Sequence, residues 1–120
     1  MKSYKELIVW QKSFKLAVLI FRITEQFPKS ELYGLISQMR RAAVSIPSNI
    51  AEGYSRGHKQ EYIQFLRTAF ASGAELETQL LIAKELRFLS EDSYSEANNL
   101  LEETQKMLNK LISVLKTSNP

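Results

Sequence analysis

Apolar residues recur three and four positions apart along four separate stretches of this chain, and that spacing leaves little besides α-helices. The first stretch runs Leu7, Trp10, Phe14, Ala17/Val18, Phe21, Thr24, with a second stripe at Val9, Leu16, Ile20, Ile23 and Phe27. The second reads Leu32, Leu35, Ile36, Met39, Ala42/Ala43, Ile46, Ile50. The third reads Tyr62, Leu66, Ala69, Gly73, Leu76, Leu80, Ala83, and the fourth Tyr94, Ala97, Leu101, Thr104, Leu108, Leu111, Leu115. With 4 glycines and 3 prolines in 120 residues, the chain lacks the turn-forming residues of a strand-rich fold.

Local signals set the expected boundaries. Ser3 followed by Glu6 forms a capping box, and Phe27-Pro28 closes the first helix, because the residue before a proline is pushed out of the α region. The second helix begins near Ser30 or Glu31. Pro47 lies within its apolar pattern, lacks an N–H and crowds the Ala43 carbonyl, so a kink is expected there. The segment Gly53 to His58 reads as the next turn. Ser90 or Ser93 starts the last helix, Ser93 with Glu96 as a second capping box, and Ser118-Asn119-Pro120 reads as a frayed tail. Helices at about 4–27, 31–54, 58–88 and 91–117 with short links predict one all-α domain over 1–120, an antiparallel up-down-up-down four-helix bundle with a Pro-kinked second helix.

Two features of helices 1 and 3 ask for a packing reason. The doubled stripe on helix 1 is wider than one neighbouring helix needs, so part of it, Trp10 included, is expected at a subunit interface. Gly73 costs about 1 kcal/mol in a helix interior and predicts a close helix approach.

Composition removes most site chemistry. There is no cysteine and one histidine, His58, with Ser55 three places before it. Thiolate metal sites, disulfides, cysteine catalysis and the Glu-x-x-His pairs of di-iron bundles are therefore excluded. Glu75 and Glu77, two positions apart, point to different helix faces and cannot share an acid–base pocket. No enzyme, metal or cofactor is expected. The most apolar run, Leu16 to Ile23, includes Arg22 and falls far short of the roughly 20 residues a membrane span takes. The N-terminus has no secretory pattern. A cytoplasmic protein without membrane contact is the expectation.

The net charge of +3 conceals an asymmetry. Residues 1–60 hold ten lysines and arginines against four acids, a net of +6, while residues 61–120 hold six against nine, a net of −3. The basic half, including Lys12 and Lys15, suits either RNA or DNA, or neutralisation by the acidic half within or between chains.

The segment Tyr33-Gly34-Leu35 through Gln38-Met39-Arg40-Arg41-Ala42-Ala43-Val44-Ser45-Ile46-Pro47-Ser48-Asn49-Ile50-Ala51-Glu52-Gly53 resembles the signature of the bacterial four-helix-bundle family encoded in 23S rRNA intervening sequences. Val9-Trp10-Gln11-Lys12-Ser13, Phe27-Pro28-Lys29, Glu61 with Phe65-Leu66, and Glu75-Leu76-Glu77-Thr78-Gln79-Leu80 are similar to it as well. Where that family usually has a glycine before the serine matching Ser72, this chain has Ala71, with Gly73 following. The resemblance implies a ring-shaped homopentamer and no known enzymatic activity. A related branch, the accessory variability proteins of diversity-generating retroelements, binds a reverse transcriptase and nucleic acid. The resemblance thus implies RNA, DNA or a protein such as a reverse transcriptase as candidate partners, the chain acting in the last case as a scaffold.

Two readings stand beside each candidate residue. Arg40 and Arg41 suit phosphate, or they pair with Glu75 and Glu77 between helices 2 and 3 or between subunits. Arg56 and Lys59, beside His58, make a cationic rim, or an ordinary turn in which Glu52 and Arg56 pair. Asn49 with Ser45 or Ser48 reorganises the hydrogen bonding that Pro47 disturbs. Trp10, Phe14 and Phe21 stack bases, or serve core and interface.

Overall fold

The computed structural model describes residues 3–118. Four helices account for most of them: α1 Ile8–Thr24, α2 Ser37–Ser55, α3 Lys59–Glu85 and α4 Glu91–Thr117. Each packs on its two neighbours in the cyclic order α1, α2, α3, α4. Arg40, early in α2, reaches the last turn of α1, and Lys59 at the start of α3 bonds the Ser118 carbonyl just past α4. These end contacts are those of antiparallel neighbours.

The core is what the apolar periodicity requires. Leu16 and Ile20 of α1, Met39, Ile46 and Ile50 of α2, Leu66, Leu76 and Leu80 of α3, and Leu101 and Leu108 of α4 are completely buried. On α1 the stripe with Val9, Leu16, Ile20 and Ile23 enters this core, joined by Ala17 and Thr24 of the other stripe. Of the parallel stripe, Phe14 and Phe21 stay at the surface, 51 and 40 % exposed, while Trp10 is partly buried against the core.

The helix ends differ from the local signals in four places. Ser3 caps only a 3-10 turn, Tyr4–Glu6, by accepting from the Lys5 N–H; extended Leu7 (ψ 126°) then separates that turn from α1. Before α2, a 3-10 turn at Lys29–Glu31 leads into a wide π turn at Leu32–Ile36, where Glu31 accepts from the Leu35 N–H. Helix α3 ends at Glu85, short of Phe88, because Arg87 takes a left-handed φ of 60°. The Arg87 N–H then bonds the Lys84 carbonyl and the Phe88 N–H bonds the Ala83 carbonyl, a Schellman closure without its usual glycine. Gly53 lies inside α2, and the turn is confined to residues 56–58 around Gly57 (φ 76°). At the last helix Ser90 is the cap, accepting from the Ser93 N–H. Asn119 and Pro120, in the expected tail, lie outside the described residues.

Two buried glycines set interhelical distances. A methyl group on Gly53 would sit 2.7 Å from Phe65 Cβ of α3, so α2 and α3 touch almost backbone to backbone there. A methyl group on Gly73 would overlap the Gln105 carboxamide of α4, which donates to the Phe70 carbonyl at 2.9 Å. Gly73 thus makes room for a polar crosslink between α3 and α4. Ala71, two places earlier, is exposed.

Gly53→Ala is expected to lower unfolding stability by about 1–3 kcal/mol, because a Cβ rooted in the facing backbone cannot yield. Gly73→Ala displaces only a flexible side chain and is expected to cost less. In a Gln105→Ala background, the same change is expected to stabilise by up to about 1 kcal/mol through helix propensity. Denaturant titration of the four variants measures all three values.

Candidate interaction site on helices 1 and 2

The surface stripe of α1 meets an outward row of α2 to form an open groove of about 470 Å³. Tyr4, Trp10, Phe14 and Phe21 line one wall, with Val44 and Pro47 opposite. Trp10 stacks on Phe14 at 5.2 Å and takes Tyr4 edge-on at 5.4 Å. The aromatic wall is therefore built by neighbours on one helix face and their preceding turn.

Arg40 closes one end. Its Nε donates to Thr24 Oγ1 at 2.9 Å, its Nη2 to the Phe21 carbonyl at 3.3 Å, and its guanidinium lies 4.8 Å from the centre of the Phe21 ring. The Thr24 hydroxyl in turn donates to the Ile20 carbonyl at 2.7 Å and lies 3.1 Å from the Phe21 carbonyl. Arg40 thus supplies donors where the last turn of α1 has carbonyls without helical partners, and where a cation suits the helix dipole.

The other sequence-selected cations divide. Lys12 pairs with Glu103 at 2.9 Å across α1 and α4. Arg56 pairs with Glu52 at 2.9 Å, lies 3.9 Å from Glu61 and stacks over Phe65. Lys59 donates to the Ser118 carbonyl at 2.7 Å. Lys15 and Arg41 are exposed with no ion pair among the described residues, and so are Glu75 and Glu77. Among the described residues, then, neither Arg40 nor Arg41 pairs with Glu75 or Glu77, and the Arg–Glu contact between α2 and α3 is that of Arg56 with Glu52 and Glu61 at their turn. Arg40 is turned the other way, onto α1, because the carbonyls ending that helix lie level with it.

At the middle of α2, a neutral chain joins it to α3. Asn49 Nδ2 donates to the Ser45 carbonyl at 2.7 Å and to Ser45 Oγ at 2.9 Å, and Ser45 Oγ lies 2.9 Å from Ser72 Oγ. Asn49 therefore acts on the carbonyl of Ser45, two residues on from the Ala43 carbonyl that Pro47 leaves without its usual donor. Pro47 itself is buried, with one edge in the groove wall.

Near the α2–α3 turn, Tyr62 meets Tyr54 edge-on at 5.9 Å. Burial, with a smaller contribution from Tyr54, pushes the Tyr62 hydroxyl up from 10.0 to about 12. Among the described residues, no three His, Asp or Glu side chains are grouped to hold a metal ion. Among the described residues, no helix is long and apolar enough to cross a membrane.

The sequence pointed to Trp10 but missed the groove, whose second wall comes from Val44, Ser48 and Ala51. The available signal was their shared spacing of three and four residues on the side of α2 away from Met39 and Ile46. Gln105 was also missed; only the presence of Gly73 hinted that something must fill its side of α3.

These features define an all-α four-helix bundle with an aromatic groove on one face. The 23S rRNA-intervening sequence protein family matches residues 5–110, and the chain belongs to that family. The fold is similar to the crystal structure of a protein of unknown function from the S23 ribosomal protein family of Bacteroides thetaiotaomicron. That similarity has a TM-score of 0.81 at 24% identity, over 88% of this chain and 96% of that one. No curated protein matches the chain.

Arg40→Ala is expected to lower stability by about 1.5–3 kcal/mol, the range for hydrogen bonds to a charged group, and Arg40→Lys to recover little of it. Arg41→Ala is expected to stay within about 0.5 kcal/mol of wild type. Thermal unfolding of the three variants separates the clasp from the surface charge. Because Tyr62 holds its proton more tightly when folded, its contribution is intact below pH 10.0 and is lost as pH rises toward about 12. Tyr62→Phe is expected to flatten the stability profile over that interval, as read by denaturant titration at stepped pH.

Proposed function

We infer that this protein is a non-enzymatic assembly module that associates with copies of itself through the α1–α2 groove. The observation that carries the reading is the groove's aromatic wall, where partly buried Trp10 backs Phe14 and Phe21, both left exposed by a bundle whose core is already filled. Large exposed apolar patches on a globular chain mark interaction sites, and buried aromatics are the usual anchors of interfaces. A pentameric ring is the closed form that the family resemblance implies. A scaffold for a partner enzyme would use such a ring's outer surface.

Nucleic-acid binding is the second reading. It is supported by the net +6 of the first sixty residues and by exposed Lys15 and Arg41. It is narrowed by Arg40, Arg56, Lys59 and Lys12, which spend their donors inside the chain. Binding of this kind would be electrostatic, made to phosphates without base readout.

Size-exclusion chromatography with light scattering, with and without an RNA pool, tests both readings. A mass several times 13.8 kDa is the expected result, and a monomer at all concentrations overturns self-assembly. RNA that co-elutes at low salt and is shed steeply as salt rises supports the second reading; RNA that never co-elutes overturns it.

A further inference from the structure

A second cavity, of about 420 Å³, lies between the end of α1 and the link from α3 to α4, and it shares no lining residue with the α1–α2 groove. Arg22 of α1 and Gln26 just past it line the cavity, together with Arg87 of the link and Ser93 in the first turn of α4. Phe88 and Leu89 add an apolar wall, and Phe88 is fixed by its contact with the Phe27 ring at 5.6 Å.

The charge of this cavity is one-sided. Neither Arg22 nor Arg87 has an ion pair or a side-chain hydrogen bond among the described residues, whereas Arg40 and Arg56 spend their donors within the chain. Among the described residues no carboxylate lines the cavity; Glu91, at the start of α4, lies 3.9 Å from Lys84 instead. The Gln26 carboxamide and the Ser93 hydroxyl are likewise without a partner in the chain. Two guanidiniums on one cavity repel each other until an anion lies between them. Their planar forks match the oxygens of a phosphate, and two forks match a dianion. The apolar wall suits an organic body attached to that phosphate, and the volume falls in the range of small-molecule sites, about 300–1,000 Å³.

We propose that this cavity binds a small organic phosphate monoester, its phosphate oxygens held by Arg22 and Arg87 with Gln26 and Ser93, and its organic part laid against Phe88 and Leu89. The Ser90 hydroxyl already accepts from the Ser93 N–H, so α4 is capped within the chain and recognition rests on the two arginines. The phosphates of a nucleic-acid backbone are singly charged diesters and match a pair of guanidiniums less well.

Arg87 supplies the most informative variant. It holds a left-handed φ of 60°, which glycine adopts freely, so Arg87→Gly is expected to raise the unfolding midpoint of the free protein while removing one guanidinium. Isothermal titration with phenyl phosphate at constant ionic strength is expected to show saturable binding to the wild-type chain. Arg87→Gly and Arg22→Gln are each expected to weaken it by about 10-fold or more, with circular dichroism unchanged. Inorganic phosphate, which has no organic body, is expected to bind roughly 5-fold more weakly or worse. No saturable binding to the wild-type chain, or binding that both variants leave unchanged, overturns the proposal. Inorganic phosphate bound as tightly as phenyl phosphate overturns it in favour of a bare-anion site. An RNA oligomer with a 5′-hydroxyl end that binds where phenyl phosphate does not, and is lost in both variants, overturns it in favour of a polyanion surface.

Discussion

A helix in a four-helix bundle can bury only the arc that faces its three companions, and α1 carries more apolar arc than that. Once Leu16, Ile20 and Ile23 have filled the interior, Trp10 is left at the core's edge and Phe14 and Phe21 at the surface. These rings are held in place by one another and by Arg40, and Pro47 and Val44 of α2 complete the trough in front of them. The excess apolar width of one helix is thus the reason the molecule has a surface suited to association.

Helix α2 holds the bundle together by three different means along its length. Near its start, Arg40 ties it to the carbonyl end of α1. In its middle, Asn49 and Ser45 carry hydrogen bonds past Pro47 and on to Ser72 of α3. Near its end, the missing side chain at Gly53 lets Phe65 and Tyr62 press against its backbone. The segment that most resembles the family signature coincides with these three contacts. Its residues have clear packing roles, and they need no ligand to account for them.

The charge asymmetry has a similar resolution. Lys12, Arg56 and Lys59 find carboxylates or a carbonyl within the chain. Such exposed pairs contribute little to stability, about 0–1 kcal/mol each. Their consequence is that fewer cations remain for a polyanion than the count of +6 suggests. Lys15 and Arg41 remain exposed on α1 and α2 without an ion pair among the described residues.

Residue spacing alone determined four helices and the burial of Leu66, Leu76, Leu80, Leu101 and Leu108, because a period of three to four residues has one structural solution; at Gly73 it predicted a close helix approach, where the Gln105 side chain fills the space. The absence of cysteine and the lone histidine excluded most metal and nucleophile chemistry before any coordinate was known. Local signals were weaker at the ends: the serine caps of Ser3 and Ser93 compete with nearby alternatives, and left-handed Arg87 has no glycine to announce it. Only the tertiary structure decided which residues of the two stripes on α1 face inward, that Arg40 turns to α1 and away from Glu75 and Glu77, and that Gly53 is a contact instead of a turn. Each of these depends on which backbone lies opposite, at distances of a few ångströms across helices far apart in sequence. A single chain's periodicity gives the faces of a helix; it does not say which neighbour each face will meet.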